Sequence, residues 1–105
     1  MKKASASSRY RVMIARDGAD CLVVPGIQFA KAGDVVSFKS VGTNVKVMFP
    51  DEGLFGSREL VLQDSQEKSL TVRAVTVGTY PYAAFCTEIN GFALGGSSPK
   101  IIIYE

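Results

Sequence analysis

The chain has 105 residues, enough for one domain that buries a continuous core without staples. Hydrophobic residues make up 47% and charged residues 21%, the balance of a soluble globular domain, and a net charge of +2 excludes the basic face that nucleic-acid binding needs. There is no histidine, so imidazole is missing both as a metal ligand and as a general base.

Residues 1–8 are expected to form a disordered N-terminal tail, with a single domain over residues 9–105. Met1-Lys2-Lys3 has the charge of a secretory leader, but Ala, Ser, Ala, Ser and Ser follow where an apolar core would stand. That leaves two compartments open: the cytoplasm, or the periplasm or exterior if a signal has been removed. No segment is long and apolar enough to span a bilayer, so membrane insertion is not expected.

Residues 9–16 alternate, with Val12 and Ile14 on one face and Arg11 and Met13 on the other. Asp17-Gly18-Ala19-Asp20 is a turn by composition. Residues 21–25 and 27–30 form a strand broken by Pro25-Gly26. Ala32-Gly33-Asp34 turns the chain into residues 35–40, where Val36 and Phe38 share a face. Residues 43–49 point Val45, Val47 and Phe49 inward and Lys46 and Met48 outward. Leu54 and Phe55 sit in a loop, where large apolar residues tuck beneath the chain.

Leu60 and Leu62, then Leu70, Val72 and Ala74, repeat the two-residue period, with residues 64–68 as a polar connection between them. Residues 80–86 and 100–104 complete the set. Short strands separated by Gly, Pro and Asp turns specify an all-β, antiparallel-rich sandwich.

Three pieces of the sequence resemble the cupredoxins, the plastocyanin, pseudoazurin and amicyanin group. The first runs from Phe29 through Lys31-Ala32-Gly33-Asp34 to Phe38. The second is Gly42-Thr43-Asn44-Val45, placed where the family has a histidine followed by Asn-Val. The third begins at Gly78-Thr79-Tyr80, continues through Cys86-Thr87-Glu88-Ile89-Asn90-Gly91-Phe92-Ala93-Leu94, and ends on Ile101-Ile102-Ile103. The resemblance implies a Greek-key β-sandwich of about seven to eight strands.

It also implies where a copper ion would sit, and there the chain departs from the family. A blue-copper centre takes two imidazoles, a thiolate and a weak axial thioether. Matched position by position, these fall on Thr43, Cys86, Ile89 and Leu94, and only the cysteine is a suitable donor. No cofactor is therefore expected. The family's tie between the two ligand loops falls on Asn44 and Thr87, which implies a side-chain hydrogen bond between them. Residues 95–98 are the candidate for a mobile loop beyond the site.

In that topology Cys21 and Cys86 lie at the same end of the sandwich, and three readings stay open for them. They are two separate buried thiols, a disulfide, or a reactive thiol at Cys86. Glu88 is either a carboxylate exposed at the loop surface or part of a polar site with Cys86 and Asn44. A cuprous site joining Cys86 to Met13 or Met48 is a further alternative.

No hydrolase, phosphate-loop or zinc-protease motif occurs, so an enzyme is not expected. The expected function is a metal-free binding or structural module that meets a protein partner. The alternative is a residual copper-binding or thiol-redox protein centred on Cys86.

Overall fold

A computed structural model of the chain describes residues 7–93 and 98–105. Its strands are β1 (Arg9–Asp17), β2 (Asp20–Val24), β3 (Ile27–Ala30), β4 (Val35–Val41), β5 (Val45–Met48) and β6 (Glu59–Leu62). They continue with β7 (Glu67–Thr71), β8 (Gly78–Pro81), β9 (Ala83–Cys86), β10 (Gly91–Phe92) and β11 (Lys100–Ile103). The protein is all-β, and the described residues hold more strands than the seven to eight expected. Pro25-Gly26 separates β2 from β3, and a break at Tyr82 separates β8 from β9.

Two sheets of four strands run β2-β1-β4-β7 and β10-β9-β5-β6, and a three-stranded sheet runs β3-β11-β8. β1 lies parallel to β4 and β3 parallel to β11, and the other pairs are antiparallel. The alternation read from the sequence sets which faces meet. Val12, Ile14, Val36 and Phe38 from the first sheet, and Val45, Val47, Leu62 and Ala84 from the second, are all fully buried. Phe38, Phe49, Phe55 and Tyr82 pack as aromatic pairs with centroids 5.0–5.9 Å apart, mostly edge-to-face, the arrangement that ring quadrupoles favour.

Leu54 and Phe55 are buried as expected, because the Leu54 carbonyl takes the amides of Arg73 (2.8 Å) and Ala74 (3.2 Å) and draws the loop down. The segment after Leu62 differs from its sequence reading. Glu67 and Lys68, expected in the connection, already belong to β7, opposite Lys39 and Phe38. Val72 and Ala74 are buried but lie beyond the strand, where their amides meet Asp34 and Leu54 instead of a ladder. Of the expected tail, only Ser7 and Ser8 are described. Ser8 donates to the Asp34 carboxylate (3.0 Å) and accepts from the Val35 amide (2.9 Å).

Candidate functional site

Two connections meet at one end of the sandwich, the β4–β5 turn and the β9–β10 turn. β5 and β9 are paired with Val45 opposite Cys86, so Asn44 lies across from Thr87. Gly42 has a φ of +82°, a left-handed conformation that a side chain disfavours, and a Cβ there would come within 3.2 Å of the Arg16 Cβ. That glycine lets the chain reverse sharply and deliver Thr43 to the interior, where it is almost fully buried.

The residue that joins the two turns is Glu88. Its Oε1 accepts from the Asn44 amide (2.5 Å) and the Thr43 hydroxyl (2.7 Å), with the Thr87 hydroxyl further off at 3.4 Å. The Asn44 amide first, and then the Thr43 hydroxyl, hold the Glu88 carboxyl below its usual range, against a smaller opposing effect of partial desolvation. The rest of the side chain faces solvent. Glu88 is exposed at the loop surface, as the sequence suggests, and of the polar site expected with Cys86 and Asn44 it meets only Asn44. Its partners are a backbone amide and a hydroxyl more than forty positions away. The available signal was a carboxylate inside a short turn next to a strand end.

The tie expected between the Asn44 and Thr87 side chains runs instead through the Asn44 backbone. The Asn44 carbonyl accepts from the Thr87 amide (3.1 Å) and the Thr87 hydroxyl (3.3 Å). The Asn44 side chain turns the other way, its Oδ1 accepting from the Asp64 amide at 2.8 Å, while the Asp64 carboxylate takes the Gly42 amide at 2.7 Å. Asn44 therefore anchors three connections, of which the sequence reading identified two.

Cys86 and Cys21 are bonded to each other, so of the three readings left open the structure has the disulfide. Their Cα atoms are 6.8 Å apart, the bond joins β2 to β9 across 65 positions, and both residues are buried. Ile89 is half-buried and packs against the core. Leu94 and residues 95–97 lie outside the described residues.

These groups do not fit a blue-copper ion. Thr43 offers a hydroxyl already committed to Glu88, Cys86 a sulfur in a disulfide, and Ile89 no donor, in a chain without histidine. The thioethers do not come to Cys86 either. Met48 stands opposite Ala83, three residues back along β9 and hence about 10 Å away on the other face. Met13 stands opposite Val24, on the outer face of the other sheet. Among the described residues no three side chains of Cys, Asp or Glu converge as a metal would require.

No protein-family model matches the chain, and no curated protein matches it. Solved structures do. A reduced amicyanin variant superposes with a TM-score of 0.55 at 20% identity, covering 90% of this chain and 82% of its own. A Cu(I) form of another amicyanin variant gives 0.54 at 20% identity, covering 98% of this chain and 87% of its own. A pseudoazurin from a Sinorhizobium species gives 0.55 at 27% identity, covering 93% of this chain and 75% of its own. The fold is cupredoxin-like.

Proposed function

We propose that this cupredoxin-like domain is a metal-free binding or structural module without catalytic activity, and that it presents the end bearing the Thr43 and Glu88 turns to a protein partner. One observation carries the reading. The two polar positions that match copper ligands in the resembling family are each occupied by another bond, Thr43 by Glu88 and Cys86 by Cys21. The loops are held together by the protein's own groups, leaving a preformed surface with no open coordination position among the described residues. The buried disulfide favours an oxidising compartment, periplasmic or extracellular, over the cytoplasm.

The test is a titration of oxidised and of reduced protein with Cu(II) and Cu(I), followed by desalting, elemental analysis and absorption spectroscopy. The expected result is no retained copper in either state. Stoichiometric copper that disappears in Cys86→Ala overturns the reading and makes the chain a copper carrier with a histidine-free ligand set.

A second reading, a thiol-redox couple, is favoured by the Cys21–Cys86 bond itself. Its burial argues for a structural staple, because exchange needs a thiolate to reach a sulfur. Rapid reduction by a thioredoxin-type dithiol under native conditions would reverse that preference.

A further inference from the structure

The ten residues 21–30, which run from the second residue of β2 through the Pro25-Gly26 break to the end of β3, contain no charged side chain. This stretch forms the outer edge of two sheets at once, since β2 ends the β2-β1-β4-β7 sheet and β3 ends the β3-β11-β8 sheet. It is also unusually apolar on its outer side: Val24 is 58% exposed, Ile27 48% and Phe29 53%. Three other edges are blunted in the ordinary ways. β7 carries Glu67 and Lys68, β6 carries Glu59, and β8 ends in Pro81. β3 has none of these protections.

The ladder shows which backbone groups of β3 are spare. The Lys100 amide donates to Gly26 and the Tyr104 amide to Ala30, so the even-numbered residues 26, 28 and 30 turn their peptide groups towards β11. Ile27 and Phe29 turn theirs to the open edge. The Phe29 carbonyl is met there by the Gln28 side-chain amide at 2.8 Å, a local substitute for a ladder partner.

We propose that this edge is a self-association site, at which a second copy of the chain adds its own β3 antiparallel across a two-fold axis at Gln28. In that register Ile27 lies opposite Phe29 of the partner subunit, and Phe29 opposite Ile27 of the partner subunit. Both are pairs in which facing residues exchange N–H and C=O, giving about four hydrogen bonds across the axis. On the exposed face each pair sets an aromatic ring against a β-branched side chain, a favourable cross-strand combination. The absence of charge over residues 21–30 means that bringing two identical edges together meets no like-charge repulsion. Phe29 is already braced from behind by Tyr104, with ring centroids 6.3 Å apart, so docking orders few additional side chains. The contact is short and falls well below the ~800 Å² per partner of a standard interface, so the dimer is weak, with a dissociation constant of roughly 10 μM to 1 mM.

Sedimentation velocity of the full chain from about 10 μM to 1 mM tests this. The expected result is a reversible monomer–dimer equilibrium that Phe29→Lys weakens at least tenfold. Ile27→Pro, which removes an edge-facing amide without touching the β11 ladder, is expected to do the same, and Val61→Lys on the other sheet to leave it unchanged. Circular dichroism and urea midpoints identify a variant that has merely unfolded, and the other edge variant then decides. A monomer throughout the range overturns the proposal, as does a dimer indifferent to both edge changes. Equal weakening by Val61→Lys, or an edge that binds only a different protein's strand, overturns it as well.

Discussion

Tyr82 is the point at which the core departs from its own logic, and removing its hydroxyl is expected to stabilise the protein. The side chain is 3% exposed, its ring packs against Phe38 and Phe49 at 5.8 and 5.9 Å, and its hydroxyl has no hydrogen-bond partner among the described residues. Burial alone pushes its pKa well above the ordinary tyrosine value. A buried hydroxyl left without a partner costs about 1–3 kcal/mol, and Tyr82→Phe removes that cost while keeping the ring contacts. For a domain of this size 1 kcal/mol moves Tm by roughly 4–8 °C, so Tyr82→Phe is expected to melt at least several degrees higher. Urea titration supplies the check, with the midpoint rising and the slope unchanged. A pH series adds a second readout. Above pH of about 10 the unfolded chain releases the phenolic proton and the folded chain does not, so wild-type stability falls as pH rises. Tyr82→Phe is expected to fall less steeply there. Equal or lower stability at neutral pH in Tyr82→Phe would refute the reasoning, since it would mean that the hydroxyl is satisfied in place.

Two further outcomes follow from the loop end. Glu88 is expected to titrate below the ordinary glutamate value of about 4.3 in carboxyl-detected NMR, and Thr43→Val to move it back up. Its contribution to stability is present above that ordinary value and is lost as pH falls through the lowered one; an unshifted titration in wild type sinks the clasp. Cleaving the Cys21–Cys86 bond frees a 65-residue separation in the unfolded chain, a loss of about 4 kcal/mol on the chain-entropy account. Matched urea curves with and without reductant measure it, and coincident midpoints would mean that the two sulfurs are not bonded.

What was legible in the sequence follows from the range of the interactions concerned. The inward faces of β1, β4 and β5 could be read because Val12 and Ile14, Val36 and Phe38, and Val45 and Val47 with Phe49 just beyond the strand each repeat every second residue, and burial follows that local pattern. The burial of Leu54 and Phe55 was legible for a similar reason, since two large apolar side chains in one loop gain by turning inward. Strand limits were harder. Nothing local distinguishes Glu67 and Lys68 in an exposed edge strand from the same residues in a turn; their place is set by Lys39 and Phe38 across the sheet. Glu88 lies at the far limit, because a carboxylate inside a short turn marks itself as a candidate, while the distant peptide amide it bonds leaves no mark in residue type or spacing. The cysteine pairing was likewise open until both strands were placed in three dimensions.

The two ties at the loop end differ in what they do. The disulfide acts chiefly on the unfolded chain, and its effect grows with the length of the loop it closes. The Glu88 clasp acts within the folded state and against water, since a solvent-facing carboxylate exchanges one set of hydrogen bonds for another at small net gain. Thr43 would not be orphaned by losing it. The single hydroxyl proton has a second acceptor in the Asn44 carbonyl at 2.9 Å, and it prefers the charged Glu88 oxygen at 2.7 Å. Losing Glu88 therefore costs little stability but releases the Asn44 amide and lets the two turns shift relative to each other. The disulfide accordingly governs how far the balance lies towards the folded sandwich. Glu88 governs the arrangement in which the closed end is presented.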